Sequence, residues 1–247
     1  FSIVVANDTF MFVGGGKNEG AAIWQFQGNN TQKISTDAID LLLQDLTAEE
    51  MAGVFGWSYA QKGAYFVGFT LANTTIVLDT ITGRWHERKS EVTNAKGIKE
   101  TLRFRPNSFV SAYNRIIVGD SVDGRTGELT LNDYREYGID IIRRVSTQPF
   151  QNNMAAFLVP WIELTMESGV GNDQVEEPLV RLEISVDGGK TFKDERIRPI
   201  GEIGDYKRRS IWRRLGRMSR FMVLRFTLSD AVKPVILQLT ADIRGAR

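Results

Sequence analysis

A short pattern, in which a large apolar residue is followed by Val and Gly, recurs three times in the first half of the chain. It occurs at residues 12–14, 66–68 and 117–119, so that its valines lie 54 and 51 positions apart. Each copy is followed, after a turn-rich stretch, by a second apolar run at residues 22–26, 75–79 and 128–132. Apolar runs joined by Gly, Asn and Asp predict antiparallel β-hairpins. A hairpin unit repeated at about 50 residues is the spacing of kelch-type propeller blades, although other antiparallel β proteins also produce such spacings. We therefore expect an all-β fold that begins with propeller-type blades.

A helical segment interrupts the repeat at about residues 36–52. An apolar helix face at spacings of three and four residues is formed by Ile39, Leu42, Leu43 and Leu46. Asp37 stands where the N-cap of this helix is expected. Thr47 and Glu50 have the spacing of a capping box, which predicts that a second short helix begins there. We interpret the two helices as an insertion among the blades.

The pattern changes after about residue 139. Apolar residues recur at every second position in residues 162–166, 182–186, 224–228 and 235–239. Period-two alternation is typical of strands with one buried face and one face toward solvent or a partner. We therefore expect two domains. Residues 1–139 form the propeller blades with the helical insertion at about 36–52, and residues 140–247 form an antiparallel β module, either a sandwich or closing blades.

Composition excludes several kinds of chemistry. The chain has 247 residues, no cysteine, one histidine and a formal net charge of +1. Disulfides, thiolate nucleophiles, iron–sulfur clusters and zinc sites rich in Cys or His are thereby excluded. No apolar run reaches the roughly 18 residues of a membrane helix, and we predict no membrane contact, metal, cofactor or catalytic residue. The chain opens inside an apolar run and without Met, so we expect it to be part of a longer protein.

Two features that look like sites are interpreted as structural. The segment 120–124 has a superficial likeness to a calcium loop, but Val122 stands where a ligand belongs and no Glu closes the loop. It therefore predicts a hairpin turn. His86, the single histidine, has no nucleophile motif to serve, and we interpret it as a structural residue.

Residues 185–192 match the Asp-box pattern of Ser, Asp, Gly and an aromatic residue at fixed spacing. Its members here are Ser185, Asp187, Gly189 and Phe192. A carboxylate that accepts turn amides, a Gly with positive φ and an aromatic residue that folds back under the hairpin together stabilise a turn. Asp-boxes also occur in sialidase propellers, which raises the hypothesis of a glycosidase or a carbohydrate-binding module. A sialidase needs a Tyr nucleophile beside an acid, and one isolated box predicts a structural hairpin.

Charge is segregated in the second half of the chain. Residues 161–187 hold seven acidic residues and one basic residue, whereas residues 206–229 hold eight basic residues and no acidic one. Seven of these bases form a candidate surface, here called the basic strip: Lys207, Arg208, Arg209, Arg213, Arg214, Arg217 and Arg220. Such a strip can face DNA, since neutralising phosphates releases counterions. It can equally pair with a neighbouring subunit or with the acidic strands of its own sheet, or simply be solvated.

Two segments resemble the packaged-DNA stabilisation proteins, the tail accessory factors (tail hub or nozzle) of short-tailed phages with lambdoid-type genomes. The first is residues 35–53, with the run Thr47-Ala-Glu-Glu-Met-Ala52. The second is residues 194–221, where a Tyr and a Lys-Arg-Arg run precede Trp212, Arg214, Gly216 and Arg217. Their order and spacing are similar to the C-terminal portion of such a protein, so the resemblance spans most of this chain.

This resemblance implies a structural virion protein without enzymatic activity. A family member is built on a β-propeller and forms a homo-oligomeric ring, a hexamer, below the portal and its adaptor. The ring retains packaged DNA until ejection and is a platform for the tail needle and the tailspikes. The protein would be assembled in the bacterial host cytoplasm and reside in the phage tail, with the basic strip toward the DNA channel or a ring contact. Two other hypotheses stay open: the carbohydrate-active propeller suggested by the Asp-box, and a host-derived propeller scaffold that binds peptides.

Overall fold

Antiparallel strands dominate the structure, a computed structural model that describes residues 2–6, 8–16, 18–94 and 96–246. The chain divides into two compact units, Phe1–Leu131 and Asn132–Arg247. The predicted domain boundary at 139/140 stays a prediction.

The first unit contains three antiparallel sheets, each with its strands in chain order. We call them blade 1, blade 2 and blade 3. Blade 1 consists of β1 (Ile3–Ala6), β2 (Thr9–Gly14), β3 (Ala22–Gln27) and β4 (Asn30–Lys33). Blade 2 consists of β5 (Phe55–Gln61), β6 (Ala64–Thr70), β7 (Thr75–Asp79), β8 (Arg84–Thr93) and β9 (Lys99–Arg103). Blade 3 consists of β10 (Pro106–Ala112), β11 (Arg115–Asp120) and β12 (Thr126–Glu128).

The three predicted hairpins are confirmed, but their alignment is wrong by one residue in blade 1. The apolar patterns lie in the second strands, and the following runs at 22–26 and 75–79 lie in the third strands. The run predicted at 128–132 is misplaced, because the third strand of blade 3 is β12 and shares only Glu128 with it. In every blade the first two strands meet at a two-residue turn: Ala6 opposes Thr9, Gln61 opposes Ala64 and Ala112 opposes Arg115. Counting from these turns makes Phe12, and not Val13, the equivalent of Val67 and Val118. Turn geometry sets the register of a hairpin.

Apolar faces of successive blades pack against each other. Between blades 1 and 2, a core forms from Val4, Met11 and Ile23 together with Val67, Phe69, Ile76 and Leu78. Between blades 2 and 3, a second core forms from Trp57, Tyr59, Val77, Ile116 and Val118. In this second core the rings of Trp57 and Phe109 stack with centroids 4.2 Å apart. Blades 2 and 3 thus each bury the face that the preceding blade covers.

The helical insertion is confirmed as α1 (Asp37–Gln44) and α2 (Ala48–Ala52). The capping box of α2 is present, since Thr47 Oγ1 accepts from the backbone N–H of Glu50 and the Glu50 carboxylate accepts from the N–H of Thr47. Two details of the prediction for α1 are wrong. Thr36 is the N-cap and Asp37 is the first helical residue. Leu42 is 42% exposed, because the buried stripe is formed by Ile39 and Leu43.

The second unit is a β-sandwich. One sheet runs in the order β15 (Arg143–Ser146), β21 (Phe221–Leu228), β18 (Leu179–Ser185) and β19 (Lys193–Pro199), and β16 (Phe150–Gln151) also pairs with β21. The other sheet runs in the order β20 (Ser210–Met218), β17 (Phe157–Met166) and β22 (Ile236–Gly245). A small hairpin, β13 (Arg135–Glu136) and β14 (Ile139–Asp140), precedes them.

The sandwich core explains most of the predicted alternation. Ile162, Leu164, Leu182, Leu224 and Phe226 all lie in one buried cluster. The alternation fails at two positions. Val186 is 58% exposed because β18 has already ended. Leu237 is 66% exposed because β22 bulges there: Gln238 opposes Thr165 and Ile236 opposes Met166, so Leu237 has no partner on β17.

Candidate functional site

The basic strip lies on β20 and on the segments before and after it. All seven of its predicted residues are exposed. β20 pairs with β17 on one side only, so it is an edge strand of its sheet.

A bulge opposite Pro160 shapes the strip. Val159 opposes Gly216 and Trp161 opposes Arg213, so two residues of β20, Arg214 and Leu215, stand against Pro160 alone. Proline has no backbone N–H to donate, and within a sheet it is tolerated at such bulges. The extra residue is accommodated by positive φ angles of 57° at Arg214 and 100° at Gly216.

The bulge changes which side chains of β20 face outward. A regular strand buries every second residue, but here burial recurs at every third position, at Trp212, Leu215 and Met218. The intervening Arg213, Arg214 and Arg217 are all exposed. Arg213, Arg214 and Arg217 therefore all face outward, whereas regular alternation would turn Arg214 toward the opposite face of the sheet.

Two arginines of β19 extend the basic surface, and the sequence interpretation missed them. Arg198 Nε donates to the carbonyl of Ile211 at 2.9 Å. Arg196 Nη1 donates to the carbonyls of Arg213 and Arg214, both at 3.4 Å. These bonds cap backbone carbonyls on the open edge of β20. The Arg-x-Arg spacing in residues 196–198 was the available signal, but the acidic residues 194–195 beside it kept the run from appearing basic.

Two strip residues form ion pairs inside their own unit. Arg208 lies 3.3 Å from Glu177 and 2.9 Å from Asp205. Arg209 forms a two-pronged pair with Glu163, with its Nε 2.7 Å from one carboxylate oxygen. The hydrogen bond from Arg209 lowers the pKa of Glu163 below its ordinary value. Arg208 and Arg209 are therefore paired within their own unit, Arg209 with a residue of β17 and Arg208 with residues outside the strands.

The remaining residues of the strip are not neutralised in this way. Within the part of the chain that the structure describes, Lys207, Arg213, Arg214 and Arg217 form no ion pair. Arg220 donates to Met154 Sδ at 3.2 Å and lies over the ring of Phe221. We call Arg213, Arg214 and Arg217 the unpaired arginines. Their charge is available to an anionic partner, and whether that partner is DNA or a subunit stays a prediction.

The Asp-box residues form the turn between β18 and β19. The Asp187 carboxylate accepts from Ser185 Oγ at 2.7 Å and from the backbone N–H groups of Lys190 and Thr191, each at 2.9 Å. Ser185 Oγ accepts in turn from the N–H of Gly189, whose φ is 91°. The hydrogen bonds from Ser185 and then Thr191 hold the pKa of Asp187 well below its ordinary value. The carboxylate is therefore occupied by its own turn.

Phe192, the aromatic member of the box, packs against a charged pair. The guanidinium carbon of Arg225 lies 3.8 Å from the Phe192 ring centroid. The same guanidinium binds Glu183 through two hydrogen bonds of 2.8 and 2.7 Å. The hydrogen bond from Arg225 lowers the pKa of Glu183. This stack ties the turn to strands β18 and β21 and has the character of a structural support.

The predicted turn at residues 120–124 holds a buried ion pair. Arg105 is 3% exposed, and its Nε donates to Asp120 Oδ1 at 3.0 Å while Nη2 contacts the other oxygen of Asp120. The same Nη2 donates to Asp123 at 3.1 Å. A guanidinium therefore occupies the position that a cation would take in a calcium loop. Among the described residues, no group of three or more His, Asp or Glu is arranged to hold a metal ion.

His86 belongs to a cluster of aromatic residues around Arg88. Arg88 Nε donates to His86 Nε2 at 3.1 Å and Nη1 donates to Tyr59 Oη at 2.7 Å. The Arg88 guanidinium carbon lies 5.1–5.8 Å from the ring centroids of Trp57, Tyr59, Phe66 and Phe104. Desolvation, followed by the charge of Arg88, lowers the pKa of His86 to about 4. The neutral ring acts as a hydrogen-bond acceptor for Arg88.

Comparisons with known proteins address both units. A family model described as bacteriophage P22 Gp10, beta-propeller, matches residues 2–134. A second, described as bacteriophage P22 Gp10, beta-sandwich, matches residues 142–244. No curated protein matches the chain. Neither described helix has the length and apolar character that crossing a membrane requires.

A solved structure with some likeness is a glycoside hydrolase family 43 arabinoxylan arabinofuranohydrolase from Bacillus subtilis, in complex with cellotetraose. Its sequence identity to this chain is 10% and the TM-score is 0.27. The match covers 98% of this chain and 52% of the hydrolase chain. A TM-score this low carries no argument about fold or function.

Proposed function

The chain belongs to the bacteriophage P22 Gp10 family, and from this premise we propose that it is the C-terminal portion of a ring-forming tail protein of a short-tailed, lambdoid-type phage. The observation that carries the proposal is the match of two models of one family, in order, to residues 2–134 and 142–244. Membership in this family supports a structural tail protein and suggests a role without catalysis.

We propose that the ring has six copies and lies below the portal and its adaptor, where it retains packaged DNA until ejection. The same ring would hold the tail needle and the tailspikes, so its site of action is the virion and its site of assembly the bacterial cytoplasm. Such a role is performed by surfaces that fit together. The sandwich offers such surfaces in an exposed basic strip and in β22, an edge strand with Ile236, Leu237 and Ile243 each at least 41% exposed.

The unpaired arginines are proposed to face the DNA channel. Their positive charge attracts phosphates, whereas the charges of Arg208 and Arg209 are already paired. The net charge of +1 gives no general attraction to DNA. The isolated chain is therefore expected to bind duplex DNA weakly and with steep salt dependence, and the ring supplies affinity by presenting many copies at once.

DNA-filled phage heads that lack the protein provide the test. Purified protein is added, and the DNA that stays protected from nuclease is measured. We expect protection to rise with added protein, and to rise less with a variant in which the three unpaired arginines are alanine. A variant with Arg208 and Arg209 changed to alanine is the control, because those side chains are already paired. Protection that does not change on addition of the protein contradicts the proposal.

The carbohydrate hypothesis rests on the Asp-box. In the structure the Asp187 carboxylate accepts hydrogen bonds from the backbone N–H groups of its own turn. The carboxylate is therefore already engaged, and the box gives no support to the carbohydrate hypothesis. Chromogenic glycosides and a glycan array test it. Turnover of a glycoside or specific binding of one sugar contradicts the structural role of the box. Screens in which no glycoside is hydrolysed and no glycan is bound agree with that role.

A further inference from the structure

We propose that neighbouring copies of this chain join through their sandwiches, with an acidic loop on one edge of one sandwich inserting Ile203 into an apolar groove on the opposite edge of the next. The inference rests on the proposed ring and names the surfaces that build it. A closed ring needs a heterologous contact, in which each copy contributes two different patches. The sandwich carries two patches that complement each other in shape and in charge.

The loop after β19 holds an exposed isoleucine at the tip of a turn. Ile203 is 64% exposed. The backbone N–H of Asp205 donates to the carbonyl of Glu202 at 3.0 Å, and the φ of Gly204 is 92°. These are the features of a β-turn with glycine at its third position, and we call residues 202–205 the Ile203 turn. Gly, Pro, Asn, Asp and Ser dominate β-turns, so a large apolar side chain held in solvent at this tip indicates a contact with a partner.

A neighbouring loop holds the Ile203 turn in place. In the loop between β17 and β18, Ser168 Oγ donates to the carbonyl of Tyr206 at 2.8 Å. A Cβ on Gly171 would come within 3.2 Å of the Ile203 nitrogen and within 2.5 Å of the Glu176 carbonyl oxygen. Only a glycine therefore lets the two loops pack this closely. The packing fixes Ile203 before a partner arrives, and a preorganised contact costs less ordering entropy on binding.

The surroundings of the Ile203 turn are acidic. The loops at residues 171–178 and 201–208 together hold five acidic residues and two basic ones. Asp173, Glu176 and Glu202 are exposed, and within the described part of the chain they form no ion pair. An apolar side chain bordered by free carboxylates complements an apolar groove that has a basic border.

A groove of this kind lies on the other edge of the same sandwich. It is found between β15 and β22, each of which ends its sheet, whereas the Ile203 turn connects β19 to β20, which end the two sheets on the opposite side. We call it the edge groove; its lining residues are Arg143, Arg144, Val145, Leu228, Pro234 and Ile236. Val145 is 47% exposed and Ile236 is 41% exposed, so the apolar lining is open to a partner.

The edge groove has room for an isoleucine side chain. Its volume is about 280 Å³, and a cavity of about 150 Å³ already holds a benzene ring. Four of its six lining residues are apolar, and apolar walls give a phosphate group nothing to bind. An apolar side chain of a second copy therefore suits this groove better than DNA does.

Two arginines border the edge groove without a carboxylate partner. The Nη atoms of Arg143 donate to three backbone carbonyls at 3.2–3.3 Å. Desolvation lowers the pKa of Arg143 below its ordinary value, so its charge is partly withdrawn from water. Among the described residues, neither Arg143 nor Arg144 has an ion-pair partner. Carboxylates that arrive beside Ile203 therefore meet guanidinium groups that are not yet neutralised.

The two patches lie on opposite edges of one sandwich. Each copy can therefore insert its Ile203 turn into one neighbour while its own edge groove receives the turn of the other neighbour. Repeating such a head-to-tail contact by a fixed rotation closes a ring.

Cysteine cross-linking tests the contact, because the chain has no cysteine of its own. The complete protein, freed of any further cysteine, carries Ile203→Cys together with Val145→Cys. It is added to portal–adaptor particles and treated with a short bis-maleimide, and we expect a ladder of covalently joined copies on denaturing gels. The matched control combines Ile203→Cys with Val186→Cys, since Val186 is 58% exposed but lies outside the edge groove. The control should give single copies.

Charge exchange is a second test that needs no cross-linker. Glu202→Arg and Arg144→Glu each place like charges in the contact, and each should raise the protein concentration needed for assembly at least about tenfold. The double variant restores a pair of opposite charges and should recover assembly. Both residues are exposed, so all three variants should keep the melting temperature of the parent protein.

Three results overturn the inference. The first is a ring in which Ile203→Cys with Val145→Cys cross-links no more than the control pair; the proposed tail ring then stands and only this contact fails. The second is cross-linking of Ile203→Cys alone, which would show that two identical patches meet. The third is a double charge variant that assembles no better than the single ones. A protein that adds to no particle contradicts the proposed ring itself, and this contact with it.

Discussion

The buried pair of Arg105 and Asp120 allows a sharp prediction about the stability of the blades. The Arg105 side chain is 3% exposed and that of Asp120 is 0% exposed. Changing Asp120 to Ala takes both carboxylate contacts away from a buried guanidinium and keeps its contact to the half-exposed Asp123. Removing one partner of a buried pair costs about 3–5 kcal/mol, because the remaining charge stays desolvated. For a unit of this size, that loss lowers the melting temperature by roughly 10–15 °C.

The measurement is thermal and urea unfolding of the full chain, followed by circular dichroism and tryptophan fluorescence. Arg115→Ala is the control, because Arg115 pairs with Glu128 in the same blade while 66% exposed, and exposed pairs contribute about 0–1 kcal/mol. A double variant, Arg105→Met with Asp120→Leu, should recover most of the loss, since no charge then stays buried. A cost below about 1 kcal/mol for Asp120→Ala refutes the reasoning.

Three further predictions concern charge and pH. Changing the three unpaired arginines to alanine should make the binding of duplex DNA less dependent on salt. The slope of the logarithm of the binding constant against the logarithm of the salt concentration should shrink by up to about 3, at roughly 0.9 per phosphate contact. Filter binding at several salt concentrations measures this slope, and an unchanged slope contradicts the proposed DNA contact. The folded-state pKa of His86 is about 4, below the ordinary 6.5, so the folded state holds fewer protons in that window and stability should fall as pH drops from 6.5 to 4. Because His86 is only partly desolvated and still meets solvent, we expect a loss of at most about 1 kcal/mol. Urea midpoints at pH 7 and pH 4.5 should show this loss, and His86→Gln should remove it. Asp187→Ala should lower the melting temperature more than Asp187→Asn, whose amide oxygen still accepts hydrogen bonds from the turn, and an equal effect contradicts the assigned role.

Local signals predicted much of the fold. The blade hairpins were found because apolar runs and turn residues adjoin each other in the chain, and the capping box at Thr47 is a four-residue pattern. Val13 was wrongly aligned with Val67 and Val118. Blade 1 is apolar on both faces, so its sequence fits two registers that differ by one residue. Leu237 was wrongly expected to be buried, since alternation alone does not show the bulge that leaves Leu237 without a partner on β17.

The candidate site was predictable in composition but not in geometry. Charge segregation identified the basic strip, and the acidic stretch 161–187 did supply partners for Arg208 and Arg209, Glu177 from a loop and Glu163 from β17. The exposure of Arg214 beside its neighbours depends on Pro160, which lies on another strand more than fifty residues earlier. Arg105 carried no sequence signal, because its partner is brought to it only by the pairing of β10 with β11.

The central claim is that the protein assembles into a tail ring through complementary surfaces. Its most direct test is native mass spectrometry of portal–adaptor particles mixed with the complete protein. The account predicts one added mass, that of six copies of the protein. If the three unpaired arginines serve DNA binding and not assembly, the same mass is added when all three are changed to alanine. Particles that gain no mass, with the protein remaining free in solution, would contradict the account.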